Sequence, residues 1–270
     1  METSKRSVFK KNSMSRLKEL FEQKNERVLN VYCTAGYPHL NSTLEMMESL
    51  QKNGADIIEL GMPYSDPLAD GEVIQNSSLI ALENGMTIDT LFEQLEKMRV
   101  SIHIPVVLMG YMNPILQYGF EDFCKKAQLL GVDGLILPDM PLYEFEQVYG
   151  TIIKAHELDF IFLVTPETPE TRLRKLDDLS SGFLYAVSSS ATTGRDKDFT
   201  KVAMYLERLK SMQLKNPILV GFGIKDKTSF DAVNVFSNGA IIGSAYIQAL
   251  SKGKDVETTT KTFLEGVLSQ

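Results

Sequence analysis

The sequence predicts an α/β protein, a (β/α)8 barrel, on three observations. Eight short apolar runs recur along the chain, and they are continuous rather than alternating, as in Leu135-Ile136-Leu137 and Ile218-Leu219-Val220. That is the pattern of parallel strands covered on both faces. Amphipathic helical periods follow nearly every run. The length, 270 residues, suits one barrel of this class, although length alone would also admit two smaller domains.

Taken in order, a helix is expected near Ser15–Glu26, ahead of the first strand, where it would close the bottom of a barrel. Strands are expected at Val28–Ala35, Asp56–Met62, Pro105–Gly110, Gly134–Leu137, Phe160–Thr165, Phe183–Ser188, Pro217–Gly221 and Ala240–Gly243. Between the first two, Leu44, Met47 and Leu50 form an apolar stripe that ends before Gly54, and Ser42 with Glu45 has capping-box spacing. Two helical segments, Glu72–Glu83 and Thr87–Arg99, separate the second and third strands, so one helix is extra there. The latter carries Ile88, Leu91, Phe92, Leu95 and Met98 on one face. Phe120, Phe123, Ala127 and Leu130 repeat in the same way before Gly131, as do Val202, Tyr205, Leu206 and Leu209. An open doubly wound sheet remains the alternative, because it differs in a strand-order reversal that periodicity does not reveal. No linker or low-complexity stretch interrupts the pattern, so a single domain over residues 1–270 is expected, with polar residues 1–13 loose.

Composition narrows the function classes. With 28 basic and 35 acidic side chains the net charge is −7, which argues against general binding to nucleic acid or an anionic membrane. No apolar run approaches the ~20 residues of a membrane span, and the first residues lack the apolar stretch of a leader. Cys33 and Cys124 have no CxxC partner, and only His39, His103 and His156 could assist them at a metal. A reduced, cytoplasmic, metal-free protein is expected.

Chemistry in a barrel collects at the carboxyl ends of the strands. Glu59 lies inside the apolar run Asp56-Ile57-Ile58-Glu59-Leu60-Gly61, where a carboxylate is costly without a task or a partner. Period 2 puts it on one face with Ile57 and Gly61, pointing into the barrel mouth, where desolvation would raise its pKa and suit it to proton transfer. A structural ion pair is the competing reading. The next loop, Pro63-Tyr64-Ser65-Asp66-Pro67-Leu68-Ala69-Asp70-Gly71, holds two acids. Asp66 fits a turn or helix cap; Asp70 fits either a cap or an acceptor for a substrate N–H or O–H. The last two strands end in Gly221-Phe222-Gly223-Ile224 and Gly243-Ser244-Ala245, where small residues let backbone N–H groups approach a phosphate. This is no dinucleotide fingerprint, since Asp226 stands where a third glycine is needed. Ser188–Arg195 is small and polar, either a lid or a plain connection. None of the three histidines sits at a strand's carboxyl end, so no Ser/His/Asp triad is available.

Taken together, Glu59-Leu60-Gly61-Met62-Pro63-Tyr64-Ser65-Asp66-Pro67-Leu68-Ala69-Asp70-Gly71, with Ile74-Gln75-Asn76 after it, resembles the signature of the tryptophan synthase alpha chain family. Tyr185 and Ser188, Thr193-Gly194, Gly221-Phe222-Gly223-Ile224 and Gly243-Ser244-Ala245 are similar too, and the likeness runs in order over roughly residues 15–250. The resemblance implies a TIM barrel and a lyase of tryptophan biosynthesis that cleaves indole-3-glycerol phosphate to indole and glyceraldehyde 3-phosphate. It makes Glu59 the general acid and base and Asp70 the carboxylate facing the indole nitrogen. Tyr185 falls beside the substrate glycerol. Gly194, Gly223, Gly243 and Ser244 fall at the phosphate cradle, Thr193, Gly221 and Phe222 are further substrate-binding positions, and Tyr32, Met109 and Ile136 fall at the indole pocket. Thr34, Asn113 and Asp139 fall at supporting strand ends that face a partner. No cofactor is implied for this chain. Pyridoxal phosphate is expected in a beta chain that receives the indole within an alpha2-beta2 heterotetramer. The chain departs from the family at Ser189, where an Arg is usual, and at Ala191-Thr192, where Gly-Val is common, which bears on the lid and on signalling to the partner. A free-standing indole-releasing lyase and a ligand-binding partner without turnover are the two other readings; intact Glu59 and Asp70 speak against the second.

Overall fold

The computed structural model describes residues 15–187, 199–221 and 223–269, with residues 199 and 200 described by their backbone. Helix α1 (Arg16–Gln23) precedes β1 (Val28–Thr34), then follow α2 (Ser42–Lys52), β2 (Ile57–Gly61), α3 (Glu72–Glu83), α4 (Ile88–Leu95), α5 (Met98–Ser101) and β3 (Val106–Met109). Next come α6 (Met112–Tyr118), α7 (Phe120–Leu130), β4 (Gly134–Ile136), α8 (Leu142–Glu144), a π-helical turn at Phe145–Tyr149, α9 (Gly150–Ala155), β5 (Asp159–Phe160) and β6 (Leu163–Val164). The chain continues through α10 (Glu170–Leu179), β7 (Leu184–Val187), α11 (Phe199–Ser211), β8 (Ile218–Gly221), α12 (Lys227–Asn234), β9 (Gly239–Ile242), α13 (Ser244–Lys252) and α14 (Val256–Leu268).

All strand pairs are parallel, in the order β5-β4-β3-β2-β1-β9-β8-β7-β6. The two outermost strands are consecutive pieces of one extended segment. Ile161 N–H donates to the Leu135 carbonyl on one side, and Tyr185 N–H donates to the Phe162 carbonyl on the other, so the ring closes through this segment. A strand expected over Phe160–Thr165 is therefore present in two short pieces, because it must leave β4 and join β7 within a few residues. Closure removes the open-sheet alternative, which needs two free edges.

Register carries one face around the ring. Asn30 opposes Ile57 and Ile241, Tyr32 opposes Glu59, Met109 opposes Ile136, and Tyr185 opposes Leu163 and Leu219. Pleating turns this face inward. Helix α1 closes the bottom as expected: Leu17 is fully buried, Phe21 meets Phe183 at 6.3 Å, and Arg16 Nη1 donates to Asp133 Oδ1 at 2.8 Å.

Three local expectations need correction. Ser42 is the first helical residue rather than a cap; Asn41 occupies the cap position and makes no side-chain bond there. The reciprocal capping pattern occurs instead at Asp226 and Ser229, where Asp226 Oδ1 accepts from Ser229 N–H at 2.9 Å. Leu44 is half-buried, and Met46 joins Met47 and Leu50 in the core. The segment Thr87–Arg99 breaks at Lys97, and Arg99 anchors its second piece by donating to the Gly131, Ile102 and Ile104 carbonyls. Residues 1–13 lie outside the described residues.

Candidate active site

A cavity of about 550 Å³ opens at the carboxyl ends of the strands. Glu59 and Asp70 meet there with Tyr32, Met109 and Tyr185. Glu59 is 1% exposed on β2, and burial pushes its carboxyl up to about 8; the nearby Asp70 charge adds to the rise, and Asn30 opposes it. Asn30 Nδ2 donates to Glu59 Oε2 at 2.8 Å, and no ion pair of Glu59 occurs among the described residues. The competing ion-pair reading of this carboxylate thus finds no cation among the described residues.

Asp70 is half-buried, and desolvation lifts it to about 6 against the Tyr111 hydroxyl, which lowers it. Tyr111 also fixes the loop, because its oxygen accepts from Ala69 N–H at 3.1 Å. Gln75 Nε2 donates to the Asp70 carbonyl at 2.7 Å from inside α3. Neither acid caps that helix: Gly71 holds the cap position, and Asp66 is exposed and accepts from Ser65 Oγ. Asp70, bonded to the Tyr111 hydroxyl and not to a helix end, lines the cavity.

Tyr32 and Tyr185 both have phenols held protonated, by burial first and by the two carboxyls second. Thr34 Oγ1 donates to the Tyr32 hydroxyl at 3.3 Å and lies 2.7 Å from Ser77 Oγ, tying β1 to α3. At the opposite end Gly223, Lys225, Gly243, Ser244 and Gln248 line the cavity. Gly223 has φ +60°, a conformation that disfavours most side chains. Gly243 occupies the cap position of α13, whose first-turn N–H groups lack intrahelical acceptors and carry the positive end of the helix dipole. That end suits an anion, and Lys225 is the one cationic side chain among the described lining residues.

Gly221 lines the cavity for a second reason that its sequence does not announce. A Cβ there would overlap the Tyr185 ring, so the glycine makes room for the tyrosine. Ile136 faces inward opposite Met109 but is fully buried, and Met109, not Ile136, lines the cavity. Thr193, Gly194 and Phe222, with the departures at Ser189, Ala191 and Thr192, lie outside the described residues. Asp139 accepts from Met112 N–H at 3.0 Å through Oδ2, and Asn113 Nδ2 donates to Tyr64 Oη at 3.2 Å, so both brace the rim.

Sequence reasoning missed Asn30, Tyr111, Thr165, Lys225 and Gln248. Asn30 carried the same signal as Glu59, a polar side chain inside Val28-Leu29-Asn30-Val31; Tyr111 carried none, since a tyrosine after a strand is ordinary. Chemically, the cavity joins a carboxyl that keeps its proton at neutral pH to one that loses it, with an anion-binding end across from them.

Comparison with known proteins is consistent. The family model described as tryptophan synthase alpha chain matches residues 18–268. A tryptophan synthase alpha chain of Flavobacterium psychrophilum is 48% identical over 231 residues, covering 85% of this chain and 91% of that relative. The Phocaeicola vulgatus alpha chain is 43% identical over 256 residues, 94% of this chain and 99% of its own. Among solved structures, the alpha chain of Legionella pneumophila superposes with a TM-score of 0.84 at 34% identity, covering 94% of this chain and 96% of that one. Tryptophan synthase of M. tuberculosis in an aminoacrylate-bound form gives 0.82 at 31% identity, with 94% and 100% covered.

Proposed function

The chain belongs to the tryptophan synthase alpha chain family, a family of lyases that need no cofactor of their own, and from that premise we propose how its cavity divides the work. Indole-3-glycerol phosphate lies with its indole ring between Glu59 and Asp70 and its phosphate at Gly223, Gly243 and Ser244. Glu59 starts protonated and gives its proton to indole C3, forming an indolenine-like cation. Asp70, already ionised, accepts from the ring N–H and stabilises the positive charge as it develops. The Glu59 carboxylate then takes the proton of the glycerol hydroxyl, the carbon–carbon bond breaks, and its electron pair returns to the ring. Indole and glyceraldehyde 3-phosphate leave, and Glu59 is protonated again.

The observation that carries this reading is the burial of Glu59 against a neutral partner, beside a carboxyl of lower pKa. Binding energy from the phosphate, remote from the reacting carbons, fixes the glycerol in line with Glu59. Tyr32 and Met109 supply apolar walls for the ring, and Tyr185 lies beside the glycerol.

The partner we propose is a beta chain that carries pyridoxal phosphate and receives the indole, in an alpha2-beta2 assembly. Leu68, 88% exposed in the loop that carries Asp70, supports a docked partner at the cavity mouth, as do the exposed Leu116 and Tyr143. No helix among the described residues is long and apolar enough to cross a membrane; a cytoplasmic setting fits the substrate. The test is indole release from indole-3-glycerol phosphate by the purified chain, with and without a beta chain. Release that the beta chain accelerates supports the reading, release that it leaves unchanged favours a free-standing lyase, and no release from folded protein in either condition contradicts it.

A further inference from the structure

Asn30 is fully buried on β1, one inward position before Tyr32, and it does not line the cavity. Its Nδ2 donates to Glu59 Oε2 at 2.8 Å, the sole hydrogen bond of the Glu59 side chain among the described residues. The other arm of the amide is orphaned: Asn30 Oδ1 is buried with no hydrogen-bond partner among the described residues. A buried amide with one arm bonded and the other empty is rare in a core, because its burial without a partner is unfavourable. Among the described residues, Glu59 therefore supplies the one hydrogen bond that orients this amide.

We propose that Asn30 is a positioning residue whose two-faced amide follows Glu59 through its proton cycle. When Glu59 is a carboxylate, Nδ2–H donates to it across the 2.8 Å contact. When Glu59 is protonated, half a turn about Cβ–Cγ brings Oδ1 to the same place, where it accepts the acid O–H. The empty arm is then the one the other protonation state uses. Held this way, the Glu59 carboxyl stays in one rotamer beneath the substrate in both halves of the reaction. Asn30 itself neither gives nor takes a proton.

The groups facing Glu59 are Tyr32 and Cys33 from β1, Asp70 from the loop after β2, and Tyr185 from β7. None of these supplies a hydrogen bond that could replace the amide, and Asp70 acts on Glu59 by charge alone. Removing the N–H donor withdraws the one influence that stabilises the carboxylate form.

The inference rests on Glu59 being the acid and base, and the experiment separates the two claims. The pH dependence of kcat/KM for indole-3-glycerol phosphate is measured for wild type, Glu59→Gln, Asn30→Leu and Asn30→Ser. Leu matches the shape of Asn without its polar arms; Ser keeps a group that both donates and accepts. We expect Asn30→Leu to move the alkaline limb upward by roughly one pH unit, the size of a hydrogen bond to a charged group. Its kcat should fall at least tenfold with KM little changed, and Asn30→Ser should return the limb part of the way. An unmoved limb, or Leu and Ser variants that behave alike, overturns the inference. Activity surviving in Glu59→Gln overturns the underlying reading instead. If Asn30→Leu does not fold, the Glu59 carboxyl infrared band, identified by its loss in Glu59→Gln, is titrated in wild type and Asn30→Ser; coincident midpoints and band positions contradict the proposal.

Discussion

The ring of Tyr185 fills the place where a Cβ on Gly221 would stand, at 2.5 Å from the tyrosine hydroxyl oxygen, so the glycine on β8 and the tyrosine on β7 form one unit of the cavity wall. Tyr32 and Gly61 repeat the relationship on β1 and β2, where a Cβ would come within 2.5 Å of Tyr32 Cζ. In each case the tyrosine covers the residue two positions beyond its register partner, Leu219 or Glu59. Two strand-end glycines thereby leave room for two phenols in the cavity wall.

That packing makes Gly61→Ala and Gly221→Ala disruptive for reasons unrelated to backbone freedom. Each forces a tyrosine out of the wall, and overpacking of this kind costs about 1–3 kcal/mol. Thermal unfolding should register the loss, and the KM for indole-3-glycerol phosphate should rise. Unaltered stability and KM would mean that the phenols move aside freely.

The two carboxyls predict a bell-shaped pH profile. Asp70 works ionised, so activity should fall as pH drops through about 6; Glu59 starts protonated, so activity should fall as pH rises through about 8. Asp70→Asn should abolish the acid limb and lower kcat by ~10²-fold or more, the usual loss when a group opposing developing charge is removed. A wild-type rate in Asp70→Asn would make this residue part of the loop alone.

Stability should depend on Glu59 in the opposite sense from most carboxylates. Its folded pKa, about 8, lies above the ordinary 4.5, so between those values the folded chain holds a proton that the unfolded chain has released. Stability therefore falls as pH rises through that window, and the loss is complete above pH 8. Glu59→Gln escapes it and should be more stable than wild type by a few kcal/mol at about pH 9, since each pH unit between the two values is worth on the order of 1.4 kcal/mol. The difference should vanish near pH 4.5. Denaturant unfolding at the two pH values checks this; an equal or lower stability of the variant at the alkaline one would show that Glu59 is ionised without strain.

At the anion-binding end, Gly243 has space: a Cβ there would meet Tyr32 and Ile74 at ordinary contact distances. Gly243→Asp should therefore fold and yet exclude phosphate, by crowding and by like charge at the start of α13. Lys225→Met should raise KM severalfold with kcat held and weaken its salt dependence. Michaelis behaviour unchanged in both variants would move the phosphate elsewhere.

The parts of this protein that were legible in its sequence are those where a single residue breaks its surroundings. A carboxylate in Ile57-Ile58-Glu59-Leu60 is anomalous whatever the fold, and unbroken apolar runs announce parallel strands. What stayed hidden depends on tertiary geometry. The division of the fifth strand comes from the need to close a ring, which no local pattern encodes. Ser42 and Glu45 have the spacing of a cap, yet the chain begins its helix at Ser42, so the spacing goes unused. Gly221 looked like a place for phosphate alone, because the tyrosine that requires it stands on another strand. Ile136 faces inward in the right layer, yet its neighbour Met109 lines the cavity and Ile136 does not, a distinction that depends on packing across strands.

The assignment of Glu59 as acid and base is tested most directly by comparing wild type and Glu59→Gln in the presence of a beta chain, following both substrate binding and indole release. The chain contains no tryptophan, so indole fluorescence meets little protein background. The variant should bind indole-3-glycerol phosphate and release no indole, while wild type releases it with an alkaline limb near pH 8. Indole release by Glu59→Gln within a fewfold of wild type would contradict the assignment.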